Sequence, residues 1–295
     1  MSTNYDIADH DSITSIQSIK DLSKDKLVIT FAGVGSAFAK KNAQSSIIIT
    51  KNGKTILVDL GSSIAQSLYN HGIKTTDFDY YHITHAHSDH VGSIEELLIM
   101  SRYVTKKKPN MILTFPFADT LWEKTLKGGC EINEDGRLNF ADLANIIYPT
   151  WVAEKPRELY EITVDDIKLT IFRTIHVPGE VTEWGKAFWS TGLIIDDHVF
   201  FSGDTRFDPT LFSHLPVDKC EALFHDVQLF HPGTVHASYD ELKMVPANLK
   251  AKMHLYHYGD SFESFTPEDH GFAGFAKPWL PYTFALPDPA DEIPF

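Results

Sequence analysis

The stretch "THAHSDHVG", residues 84–92, decides how this chain is read. It places His85, His87, Asp89 and His90 almost side by side. In an extended segment, residues two apart project to the same side, so His85 and His87 present their imidazoles to one point. The chain then turns into a helix expected to start near Val91, and Asp89 and His90, at that turn, face a second point nearby. A lone histidine at a strand end is usually structural. An H-x-H-x-D-H run is different, because imidazole suits zinc and a carboxylate completes harder or bridging positions. The apolar "DYYHIT" (79–84) before it reads as a strand, so the run sits at a strand end, where layered α/β structures bind ligands.

Two metals about 3.5–4 Å apart would clamp an attacking oxygen and a substrate oxygen together, but they need more ligands than this run supplies. Three candidates lie further along, each at the end of an apolar strand pattern: His176 in "FRTIHVPG", Asp204 in "FFSGDTR" and His257 in "HLYHYGD". His254 rivals His257. It is three residues away and points to the opposite face of a strand, and the loop residues after His257 favour the latter.

Around these positions the chain alternates strands and helices. "LVITF" (27–31), "SSIIIT" (45–50) and "KTILVDL" (54–60) read as strands, the last two joined by an Asn52-Gly53 hairpin. "SIAQSLYNHG" reads as a helix ending at Gly72, and "VGSIEELLIMSRY" (91–103) as an amphipathic helix. Two further hairpins are expected about Asp165-Asp166 and Asp196-Asp197. "ALFHDV" (222–227) is a strand, "SYDELKMVPANL" a helix and "AKMHLYHYG" a final strand. Two halves, each strands then helices, suit one α/β domain, an αββα sandwich of two mixed sheets under outer helices. Residues 1–26 read as a mobile N-terminal extension, 27–285 as the domain, and 286–295, Pro- and acid-rich, as an irregular tail.

The 295 residues, 43% hydrophobic, are ample for a large core. No apolar run is long enough for a transmembrane helix, and the polar N-terminus lacks the pattern of a signal peptide. Two cysteines, Cys130 and Cys220, leave no disulfide framework and no cysteine zinc site, which points to a cytoplasmic protein. The net charge of −14, from 40 acids against 26 bases, argues against a long nucleic acid as partner.

The ordered ligand set, H-x-H-x-D-H followed by His176, Asp204 and His257, resembles the metallo-β-lactamase superfamily over about residues 27–285. The resemblance implies two zinc ions per chain, with manganese or iron as other options. His85, His87 and His176 would hold one, and Asp89, His90 and His257 the other, with Asp204 bridging. Asp59 in "LVDLG" matches the acidic residue that buttresses such a site. "FAGVGSAFAKKNAQSSIIIT" and "SGDTR" are similar to the tRNase Z-like phosphodiesterase branch. "LFHDVQLF" (223–230) and "VHASYDEL" (235–242) stand where that branch carries its H-E-A-T and H-S-T segments. Asp226 thus replaces a glutamate, and His236 matches the histidine that meets the phosphate. That replacement, with no visible exosite arm, argues against tRNA processing.

The whole pattern looks most like the phage and bacterial anti-Pycsar phosphodiesterases. This implies a homodimer that hydrolyses small cyclic mononucleotides (cyclic CMP, UMP, AMP and GMP) to linear monophosphates, against cyclic-nucleotide-based antiphage defence. Asp89 would orient the nucleophile as well as bind metal, His236 would protonate the leaving oxygen, and Asp226 would hold that imidazole. A tRNase Z-type endonuclease, another hydrolase of the fold, or a non-catalytic binding module are the rival readings. The aromatics of "EWGKAFWS" either stack a nucleobase or pack the core.

Overall fold

The computed structural model describes residues 5–7 and 13–286. The chain opens with β1 (Asp6–Ile7), α1 (Ile16–Leu22), β2 (Lys26–Gly33), β3 (Ser46–Lys51) and β4 (Lys54–Val58). α2 (Ile64–Asn70), β5 (Tyr80–His82), α3 (Ser88–Val91), α4 (Ile94–Met100), β6 (Asn110–Ile112) and α5 (Phe115–Leu121) follow. A small ribbon of β7 (Ile132–Asn133) and β8 (Gly136–Arg137) precedes β9 (Asn145–Ile147). The second half runs through β10 (Thr150–Ala153), β11 (Leu159–Val164), β12 (Ile167–Arg173), β13 (Thr191–Ile195) and β14 (Val199–Phe201). β15 (Ala222–Asp226), β16 (Met253–Tyr256), β17 (Gly274–Phe275) and β18 (Pro281–Ala285) complete it.

These strands form two eight-stranded sheets, ordered β1-β18-β2-β3-β4-β5-β6-β9 and β10 to β17 in sequence order. Each begins antiparallel and finishes parallel, at β4-β5-β6-β9 and at β14-β15-β16-β17. Asn52 and Gly53 make the expected two-residue turn. Both take positive φ, 48° and 78°, and Lys51 pairs with Lys54, the mirror-image turn that matches strand twist.

The sheets pack face to face, and the side-chain alternation of their strands divides the core in two. In β3, Ile47 and Ile49 join the layer between the sheets, with Phe31, Val58, Leu169, Ile171 and Phe224. Ile48 points the other way, onto Leu57, Leu68, Leu97 and Leu98 beneath the outer helices. Each isoleucine is fully buried, worth about 1.5–3 kcal/mol apiece. β2 is buried along seven of its eight residues because it is covered on both faces, which is why it reads as an unbroken apolar run.

Three expectations need revision. The segment read as a mobile extension is packed where it is described: Ser15 caps α1, Ile19 is fully buried, and β1 pairs with β18. "SYDELKMVPANL" is two one-turn helices, Tyr239–Leu242 and Ala247–Lys250, with Pro246 between them, since proline offers no N–H to continue a helix. β16 is not the final strand, because β17 and β18 follow it. The expected tail lies, after Leu286, outside the described residues. Among the described residues no helix is long and apolar enough to cross a membrane.

Candidate metal centre

β4 and β5 run parallel in one sheet, and β12, β14, β15 and β16 share one direction in the other. The segments that leave their C-terminal ends meet on one rim and carry every group singled out from the sequence. His85 and His87 lie in the short passage between β5 and α3, and Asp89 and His90 in the single turn of α3. His176 follows β12, Asp204 follows β14, Asp226 ends β15 and His257 follows β16. Gly203 has φ 58°, and a Cβ there would lie 2.0 Å from the Thr191 carbonyl oxygen, so only glycine lets the chain deliver Asp204.

His85 Nε2 and His176 Nε2 stand 3.0 and 3.1 Å from His87 Nδ1. Asp204 Oδ2 lies 3.2 Å from His90 Nε2 and 3.4 Å from His257 Nε2, and it is 3.8 and 3.9 Å from His85 Nε2 and His176 Nε2. Asp89 Oδ2 is 3.3 Å from both His90 Nε2 and His257 Nε2. Three overlapping groups of donor atoms result, each confined within 4.8 Å: His85 with His87 and His176, Asp89 with His90, Asp204 and His257, and His176 with Asp204 and His236. His254 stays outside, its Nε2 2.5 Å from the Tyr5 hydroxyl on the other face of β16.

The outer contacts fix which nitrogen faces inward. His176 Nδ1 donates to the Val235 carbonyl at 2.8 Å, so its Nε2 carries the bare lone pair. His90 Nδ1 lies 2.7 Å from Asp59 Oδ2. Asp59, at φ 63°, also accepts from the Thr84 N–H and hydroxyl at 2.8 Å each. Such contacts orient ligands and raise their basicity.

Burial, with the neighbouring imidazoles, pushes His85 well below the ordinary histidine range, lowers His87, and takes His176 to about 4. Burial opposes the charge on Asp89 and Asp204, but the facing His90 and His257 overcome it and hold both carboxyls well below their usual range. Burial is likewise outweighed at His90, where Asp204 and Asp59 raise the imidazole. Neutral imidazoles at His85, His87 and His176, beside ionised carboxylates at Asp89 and Asp204, are a donor set that fits divalent cations, and an ion would take the place of the proton that the carboxylates favour on His90. His90 Nε2 and Asp204 Oδ1 are buried without a hydrogen-bond partner among the described residues, as atoms reserved for an ion would be.

His236 sits beside this set. Its Nδ1 is 2.9 Å from Asp226 Oδ2, and its ring stacks on His257 at 4.5 Å. Burial disfavours its charge, but the Asp226 bond and the nearby carboxylates raise it overall. Asp226 is fully buried. It accepts from the Thr205 N–H at 3.2 Å, its own N–H donates to Ser202 Oγ at 2.9 Å, and His225 Nδ1 lies 3.2 Å from its second oxygen. His225, which the sequence does not single out, is therefore buried behind Asp226. Its adjacency to Asp226 was the only available signal. Phe188, whose ring lies on His87, gave none beyond being aromatic.

A family model described as "Anti-Pycsar protein Apyc1" matches residues 27–282. The chain belongs to that family. The Anti-Pycsar protein Apyc1 of Paenibacillus harenae is 32% identical over 238 residues, 80% of this chain and 92% of that protein. Its namesake from Bacillus phage vB_BsuM-Goe3 is 32% identical over 250 residues, 82% and 92% of the two chains. Among solved structures, the metallo-beta-lactamase fold protein YhfI from Bacillus subtilis matches with a TM-score of 0.63 at 16% identity, covering 88% of this chain and 99% of its own. Human tRNase Z, short form, matches at 0.54 and 16%, covering 80% and 94%. The anti-Pycsar chain thus has the metallo-β-lactamase fold, with histidine and aspartate clusters on its rim that can hold metal.

Proposed function

We propose that the protein is a metal-dependent phosphodiesterase that opens 3′,5′-cyclic nucleotides (cyclic CMP and cyclic UMP, and also cyclic AMP and cyclic GMP) to linear monophosphates, removing the signal of a cyclic-nucleotide-based antiphage defence. The observation that carries the reading is the convergence of seven histidine and aspartate side chains able to hold metal beside the His236–Asp226 pair, in a chain of the anti-Pycsar family. The formal charge of −14 favours a small substrate over a long nucleic acid. The hydrolase would occupy residues 27–285 and work as a homodimer in the cytoplasm, the host's if the protein is viral.

His85, His87 and His176 would hold one zinc, and Asp89, His90 and His257 a second, with Asp204 between them. Zinc bound there supplies Lewis-acid charge for the phosphate oxygens and lowers the pKa of a water towards neutrality. Asp89 accepts a hydrogen bond from the attacking water and aims it at phosphorus. As the ring P–O bond breaks, the departing ribose oxygen needs a proton. His236 is held by Asp226 through Nδ1, which leaves Nε2 to deliver that proton. Asp59 and the Val235 carbonyl keep His90 and His176 in the tautomers that face inward.

The test is incubation of the zinc-loaded protein with the four cyclic nucleotides, with Asp204→Ala as control and precursor tRNA as a parallel substrate. Linear monophosphates from the wild type and none from the control support the reading. Cleavage of precursor tRNA alone overturns it in favour of an endonuclease.

A further inference from the structure

The imidazoles of the centre are not all steadied in the same way. His85 Nδ1 meets the Thr84 hydroxyl at 3.1 Å, His90 meets Asp59, and His176 meets the Val235 carbonyl. His87 has no such contact among the described residues. Its Nδ1 faces His85 and His176, and no hydrogen-bond partner takes its Nε2. It is also the one half-buried member of the three-histidine group. An imidazole turns broadly about its outer torsion, and no second protein hydrogen bond among the described residues fixes the angle of the His87 ring, whereas a flat neighbour against its face can.

Phe188 lies flat against it, with ring centroids 5.4 Å apart and planes within 9°. Phe188 is itself firmly placed. Its N–H donates to the Val177 carbonyl at 2.7 Å, next to His176. The guanidinium of buried Arg173 reaches the carbonyls of Trp184 at 3.1 Å and Ala187 at 3.4 Å, and lies 4.1 Å from the Trp189 ring. Two residues on, the Ser190 hydroxyl donates to the Asp204 carbonyl at 3.0 Å. The segment that presents Phe188 is thus pinned between two of the groups that form the centre.

We propose that Phe188 is the positioning residue for His87: its ring face replaces the missing hydrogen bond and holds His87 Nδ1 aimed at the three-histidine metal position. This rests on the reading of the rim as a metal centre. Removing an outer contact of a ligating histidine typically weakens metal binding 10–100-fold, and loss of the stack acts through the same ring.

The experiment measures zinc affinity of the full chain by competition with a coloured chelator, and the visible spectrum of the cobalt-loaded protein. It compares wild type, Phe188→Ala, Phe188→Leu and Phe188→Trp. The expected result is that Ala and Leu weaken one of two metal equivalents by about tenfold and alter the bands of that ion, while Trp restores both. Leu keeps the volume without the flat face, so it separates stacking from space-filling. Wild-type affinity in Phe188→Ala would overturn the proposal, and unchanged affinity with a raised KM for cyclic nucleotides would assign Phe188 to the substrate instead. Weakening of both equivalents, with a lower melting temperature of the metal-free protein, would mark general packing and also overturn it. A wild type that takes up no divalent ion defeats this proposal and the phosphodiesterase reading together, whereas uptake that Phe188→Ala leaves unchanged defeats only the former.

Discussion

Replacing His254 with phenylalanine should make the protein less sensitive to acid. His254 lies in β16 and is 5% exposed, between the rings of Phe224 and Tyr282 at 5.4 and 5.0 Å. Its Nε2 meets the Tyr5 hydroxyl, and its Nδ1 is buried with no partner among the described residues, so an added proton finds no acceptor. Burial, helped by the charge of Lys277, pushes its pKa from 6.5 down to about 4. A histidine held neutral in this way leaves stability intact above pH 6.5. As pH falls below 6.5 the unfolded chain takes up a proton that the native chain refuses, and stability is lost until about pH 4, where both bind it. That span, at about 1.4 kcal/mol per pH unit, comes to about 3 kcal/mol, and about 2 kcal/mol of it is gone by about pH 5. The variant forfeits the Tyr5 bond, about 1 kcal/mol at neutral pH, but loses the acid-dependent share. Urea unfolding of both proteins at about pH 7.5 and pH 5 measures the difference, because histidines common to both cancel. Equal acid losses in the two proteins would refute the reasoning.

Three further outcomes are expected. His236→Ala should lower turnover about 10²–10⁴-fold while zinc content by atomic absorption stays at the wild-type level, and Asp226→Asn should follow in the same direction. Arg157, buried and paired with Asp208 Oδ2 at 2.5 Å, also donates to the Arg173 carbonyl. Arg157→Met strands that carboxylate and should cost about 3–5 kcal/mol in denaturant unfolding, part of which Asp208→Leu should return in the double variant. Chelation with EDTA should abolish turnover and lower the melting temperature, since an ion that binds only the folded chain adds about 2.7 kcal/mol at a hundred times its dissociation constant.

The site was far more legible than the way the sheets close. His85, His87, Asp89 and His90 announce themselves because they are contiguous. His176, Asp204 and His257 could be found because each ends an apolar strand, and strand ends on one rim are where such folds gather ligands. His257 was preferred to His254 because loop residues follow it at the strand end, and of the two the structure places only His257 among the clustered donors. Contacts that depend on tertiary approach left no such mark. Nothing local says that β18 returns to pair with β2, that Tyr5 reaches His254, or that the Val235 carbonyl meets His176. The expected N-terminal extension failed for the same reason: its residues are polar, and the few that anchor it, Tyr5, Ile13 and Ile19, are too sparse to show a period.

The centre draws His85, His87, Asp89 and His90 from one sheet and His176, Asp204 and His257 from the other. During synthesis the first group emerges well before the last, so a half-made chain offers an ion only part of its cage. On the proposed reading, metal capture would come late on the folding path, after the two layers have met, and contacts made after the rate-limiting step slow unfolding without hastening folding. Zinc should leave the refolding rate where it is and lengthen the lifetime of the finished protein, making the ion a latch on the sandwich and no part of its nucleus.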